Sequence, residues 1–166
     1  ALPIYVLLIS GTAFFSKSDL NGYLFTLVES SRRNHIKIGK ELDLFLQNDE
    51  YNNGFVYWKQ NGVSLINALI SFERGLQNEY GYTEISSPLI VPSSLDGKVE
   101  PAYVVNKSYK IKTQNCLQSA IYYKDKIRES KDLPLRYSCY DLLHRDEENE
   151  KLNGLFKLKE FRQDDA

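Results

Sequence analysis

The chain has 166 residues, 42% hydrophobic and 13% aromatic, which is enough apolar material for one packed domain and excludes a disordered or low-complexity chain. Its 21 Lys and Arg balance 22 Asp and Glu to a net charge of −1, which excludes a module that works by neutralising nucleic-acid phosphates. Two cysteines, Cys116 and Cys139, are too few for a disulfide framework and point to a reduced, intracellular protein.

No methionine occurs, even at position 1, so the chain is expected to begin inside a longer reading frame or to be processed. The apolar run Leu2–Ile9 lacks preceding basic residues and is far short of the ~20 residues that span a bilayer. It reads as a buried strand of a soluble protein. Leu20, Leu24, Leu27 and Val28 recur at helical spacing, with Ser16 or Ser18 as N-cap. Arg32-Arg33-Asn34-His35-Ile36-Lys37 reads as a basic surface segment with His35 solvated. Leu42–Leu46 and Phe55–Trp58 read as short strands around a polar turn, Asn48–Gly54. Leu65, Leu69, Phe72 and Leu76 share one face of a helix that Ile66 and Ile70 widen and Gly81 closes.

Thr83–Ile85 reads as a strand running into Pro88. A loop lies between Pro92 and Pro101, and Tyr103–Lys112 is extended. Leu117–Arg128 reads as a helix, and two strands, about 134–145 and 154–163, flank the polar tip Asp146–Lys151. The fold class is α+β, closing on an antiparallel hairpin.

The last strand carries the chemistry. With a period of two, Lys157, Lys159, Phe161, Gln163 and Asp165 fall on one face: two cations, an aromatic ring, an amide and a carboxylate. Such a row can hold a polyanion, stack a flat base and bind a small polar ligand. Arg145, near the end of the preceding strand, can grip a phosphate bidentately, and Glu147 can accept from an exocyclic amine. The plainer alternative is an exposed edge hairpin with lysines for solubility.

The residues resemble class II aminoacyl-tRNA synthetases, most closely the threonyl-tRNA synthetases, from about Gly11 to Ala166. Gly11-Thr12-Ala13-Phe14 with its helix, and Asn34–Phe45, look like the lead-in to that family's catalytic domain. Gly54–Trp58, the next helix and Tyr80–Pro88 resemble motif 1. Leu133-Pro134-Leu135-Arg136, His144-Arg145-Asp146-Glu147 and Phe161–Ala166 look like motif 2. The resemblance implies residues 1–33 leading into residues 34–166, the first part of a class II catalytic domain built on an antiparallel sheet flanked by helices. It implies ATP-dependent threonine adenylation with Mg²⁺ and transfer of threonine to tRNA, in a cytoplasmic homodimer joined around Pro88.

By the same resemblance Arg145 holds the ATP α-phosphate and the amino-acid carboxylate. Glu147 and Phe161 receive the adenine, Lys157 stands where the family has an ATP-binding arginine, and Gln163 and Asp165 face threonine. Cys116 matches a cysteine that is one of three protein ligands to zinc in threonyl enzymes. Several features depart from the family pattern. Leu117-Gln118-Ser119 follows Cys116 where the family has Pro-Gly-His, lysines replace two arginines, and the segment between Leu95 and Lys112 looks shortened. The hairpin tip Glu147-Glu148-Asn149-Glu150 is acidic. The sequence ends ahead of motif 3 and an anticodon-binding domain, so this length of chain is expected to be inactive alone. A catalytically silent paralogue with a regulatory or dimerising role and a prolyl-type synthetase stay open as alternatives.

Overall fold

The computed structural model describes residues 10–46, 50, 53–95 and 101–166. The strand expected at Leu2–Ile9 and most of the turn at Asn48–Gly54 lie outside the described residues. Helix α1 spans Lys17–Arg32, and Ser16 caps it by accepting the N–H of Asp19 at 3.1 Å, as the sequence predicts. The basic segment instead forms a helix, α2 (His35–Glu41), because Asn34 accepts the N–H groups of Ile36 and Lys37. His35 is not simply solvated. Its Nε2 accepts the N–H of Leu155 at 2.9 Å, and its ring meets Phe156 edge-on, so it pins the approach to the last strand. The strands expected at 42–46 and 55–58 reduce to a single bridge between Phe45 and Trp58.

Helix α3 runs Gln60–Glu79. It stops because Gly81 takes a φ of +75°, letting Tyr82 N–H reach the Gln77 carbonyl and Gly81 N–H reach that of Asn78. Gly62 lies where a side chain would collide with the Leu44 carbonyl, so α3 sits hard against the 42–45 segment. The face predicted to be buried turns inward only in part. Leu65, Leu69 and Phe72 are exposed, whereas Ile66, Ile70 and Leu76 are half-buried, with Gly62 and Gln77 beside them.

The next elements are β1 (Thr83–Glu84), β2 (Ile90–Pro92), β3 (Tyr109–Ile111), α4 (Cys116–Lys124), β4 (Tyr137–His144) and β5 (Glu160–Asp165). β2 and β3 pair antiparallel, and β4 is the centre of a three-stranded sheet ordered β1-β4-β5. β5 is antiparallel to β4, as expected, but β1 runs parallel to it, so the sheet is mixed rather than antiparallel throughout. α4 is shorter than predicted because Arg128 folds back to bond the carbonyls of Tyr122 and Tyr123.

The β4–β5 register sets Cys139, Asp141 and Leu143 opposite Asp165, Gln163 and Phe161 on one face of the hairpin. Leu143, fully buried, anchors that face. α3 lies over the opposite face, where Gln77 donates to Asp164 and Ile66 shares a cavity of about 430 Å³ with Tyr140, Leu142 and Arg162. Arg74 also holds Glu84 of β1 bidentately, from Nε at 2.9 Å and Nη2 at 2.6 Å.

Candidate active site

β4 ends at His144, and the chain continues through Arg145 to Glu147 with its backbone tied down. Arg145 N–H donates to the Lys159 carbonyl at 2.8 Å, and Glu147 N–H to the Arg145 carbonyl at 2.8 Å. Arg145 Nε donates to the Thr113 carbonyl at 3.3 Å, which aims the guanidinium across the hairpin. Its central carbon lies 5.1 Å from the centroid of the Phe161 ring, within cation–π range. Glu147 is largely buried and meets Lys157 Nζ at 3.1 Å. Arg145, Glu147, Lys157 and Phe161 together line one cavity of about 450 Å³, closed by Leu155 and Leu158.

Four of the predicted site residues therefore converge, though by a different route from the one expected. β5 begins only at Glu160, so Lys157 and Lys159 lie outside the regular strand and do not follow its alternation. Lys157 reaches the cavity by pairing with Glu147, whereas the side chain of Lys159 lies against Gly54. From Phe161 onward the alternation holds: Phe161, Gln163 and Asp165 are half-buried on one face while Arg162 and Asp164 are exposed. Gln163 and Asp165 do not line the Arg145 cavity. They follow Phe161 along the same face, about 7 and 13 Å further on at the rise of a strand.

Cys116 is exposed at the first turn of α4, and the buried carboxamides of Asn115 and Gln118 beside it meet no partner among the described residues. No three His, Cys, Asp or Glu side chains group to hold a metal among the described residues. The zinc site expected at Cys116 thus lacks its other ligands there. Cys139 is buried, and burial followed by the nearby charges of Asp141 and Asp165 pushes its thiol up to about 11.

The sequence reading missed a buried ion pair beneath this face. Lys112 Nζ lies 2.7 Å from Asp141 Oδ2, with Ser86 and Ser87 also bound to the carboxylate. Burial alone would raise the Asp141 carboxyl, but the hydrogen bonds from Lys112, Ser87 and Ser86 outweigh it and hold the group below its ordinary value. The available signal was an aspartate on a strand face between Cys139 and Leu143, where burial demands a cationic partner.

Residues 99–166 match the tRNA synthetase class II core domain (G, H, P, S and T). The hairpin and its arginine–phenylalanine pair thus lie in the segment that matches a class II tRNA-synthetase core. Over 94% of its length the chain is 39% identical to the threonine–tRNA ligase of Thermotoga maritima, and over 95% it is 39% identical to that of Clostridium acetobutylicum. The chain is thus similar to threonine–tRNA ligases over nearly all of its length, and it spans about a quarter (26%) of the length of these relatives.

Among solved structures, the RNA binding domain of the Cryptosporidium parvum threonyl-tRNA synthetase superposes with a TM-score of 0.70 at 28% identity, covering 76% of this chain and 34% of that one. The Giardia lamblia prolyl-tRNA synthetase in complex with prolyl-adenylate shares the fold, with a TM-score of 0.65 at 18% identity over 76% of this chain and 28% of that one. Among the described residues no helix is long and apolar enough to cross a membrane.

Proposed function

We propose that this chain supplies the ATP site and part of the amino-acid site of a threonine–tRNA ligase, with residues 34–166 forming the first part of its catalytic domain. The observation that carries the reading is the Arg145 guanidinium lying over the Phe161 ring, with the Glu147–Lys157 pair across the same cavity. Adenine would stack on Phe161, and Glu147 would accept from its exocyclic amine. Arg145 would bind the α-phosphate and the threonine carboxylate, holding the two reacting groups together and stabilising charge as the phosphorus is attacked. Lys157 would neutralise phosphate charge as a point cation, without the bidentate fork of an arginine. ATP binding then exchanges the Glu147–Lys157 ion pair for two contacts to the nucleotide. Mg²⁺ would arrive with the phosphates and screen their charge.

Gln163 and Asp165 would receive the threonine, and transfer to tRNA would follow adenylation in the cytoplasm. Two copies would meet around Pro88 and the outer face of α3, whose Leu65, Leu69 and Phe72 are exposed. ATP–pyrophosphate exchange by the full-length protein tests the reaction. Exchange should depend on threonine and not on proline, and Phe161→Ala should weaken ATP binding by ~1–2 kcal/mol, the worth of a lost stacking partner. Exchange with proline alone would shift the assignment to a prolyl-type enzyme. Unchanged ATP affinity in the Phe161 variant would remove that ring from the site.

A further inference from the structure

β4 carries an aspartate between two buried residues of one face. Cys139 and Leu143 flank Asp141 on that side of the strand, and both are shielded from water. The Asp141 side chain is 11% exposed and that of its partner Lys112 only 1%. Charges this far from water are retained only when their hydrogen-bonding capacity is filled. Lys112 Nζ donates to Ser87 Oγ at 2.8 Å and to Asp141 Oδ2 at 2.7 Å. Ser87 adds its hydroxyl to Oδ2 at 2.8 Å and its N–H at 3.0 Å, while Ser86 Oγ donates to Oδ1 at 2.8 Å. Three separate segments meet on one carboxylate: the loop after β1, the residue after β3, and β4.

The cluster touches the proposed site from two directions. Asp141 is the direct ladder partner of Gln163, so their side chains rise side by side on the face assigned to threonine. The Lys112 carbonyl accepts His144 N–H at 3.0 Å, and the next residue, Thr113, accepts from Arg145 Nε. A buried ion pair is a weak source of stability, and what this one contributes is a single fixed geometry for the three segments.

We propose that Lys112 and Asp141 are positioning residues for the amino-acid substrate: their buried ion pair fixes the surface from which Gln163 reaches threonine. This deepens the threonine reading above and rests on it. The test uses the full-length protein in ATP–pyrophosphate exchange, with L-threonine and ATP titrated separately and thermal melting as the control for folding. Ser86→Ala removes one hydrogen bond from an exposed hydroxyl and leaves the ion pair in place. Asp141→Asn removes the carboxylate charge. The double variant Lys112→Met/Asp141→Leu removes both charges and leaves no orphaned ion.

The KM for threonine should rise roughly tenfold in both Asp141 variants and about threefold in Ser86→Ala, while the KM for ATP stays within about twofold of wild type. A double variant that melts like wild type with an unchanged threonine KM overturns the proposal, and so does an equal rise in both KM values. If Asp141→Asn does not fold, the double variant and Ser86→Ala decide. A wild-type protein without threonine-dependent exchange sinks the functional reading and this proposal together, whereas an active wild type with unaffected variants sinks this proposal alone.

Discussion

In the hairpin half of the chain the buried positions are largely polar, Lys112, Thr113, Ser138 and His144 among them, whereas in the helical half α1 and α3 hold Leu24, Leu27, Leu69 and Phe72 out to solvent. The two halves satisfy opposite requirements. Around β4 the buried polar groups are held by one another, and Lys112, Asp141, His144 and Glu160 find partners at 2.7–2.8 Å. On α1 and α3 the apolar stripes have the helical spacing of a packed face, yet among the described residues nothing covers them. Under the dimer proposed above, the α3 stripe would be covered by a second copy.

Truncation separates the halves most strongly. Leu143→Ala, at a fully buried position, should cost ~2–5 kcal/mol of stability in denaturant unfolding. Phe72→Ala, 62% exposed, should cost less than about 0.5 kcal/mol while reducing self-association in sedimentation. Equal losses at the two positions would mean that α3 is covered after all.

Acid sharpens the contrast. Because the Asp141 carboxyl is held below its ordinary value, its contribution is complete above the usual aspartate range, about pH 4, and is lost as pH falls through the lowered value. Acid unfolding of the hairpin, followed by near-ultraviolet circular dichroism, should therefore lose part of its steepness below pH 4 in Asp141→Asn. An identical acid profile would mean that Asp141 titrates alike in the folded and unfolded chain.

The smallest effect is chemical. Near pH 8 a thiol reagent should label the exposed Cys116 and spare Cys139, whose thiol is buried and pushed up to about 11. Labelling of both at one rate would mean that the β4 face opens freely.

Much of the fold was legible because its signals are local. Ser16 as a cap, the reach of α3, the glycine that ends it and the closing hairpin each follow from spacing or from one residue's backbone freedom. Where local signals were weak, tertiary contacts prevailed: Asn34 turned a basic segment into α2, and 42–46 and 55–58 kept only one bridge. Arg145, Glu147 and Phe161 were legible as a set because a hairpin brings its two strands together whatever else the chain does. Lys157 belonged to the set for the wrong reason, since it stands outside the strand and joins through Glu147.

Residue order alone thus established the α+β class, the hairpin, the family resemblance and the meeting of Arg145, Glu147 and Phe161 at one cavity, because periodicity and motif spacing act over a few residues. It could not say which edge of the broad apolar face of α3 turns inward, since Leu65–Leu69–Phe72 and Ile66–Ile70 are both apolar and the choice rests on the close approach at Gly62. Nor could it join Lys112 to Asp141, or Ser86 to either. That cluster exists only where three distant segments meet, and a buried charge settles wherever the folded chain brings it a counter-charge.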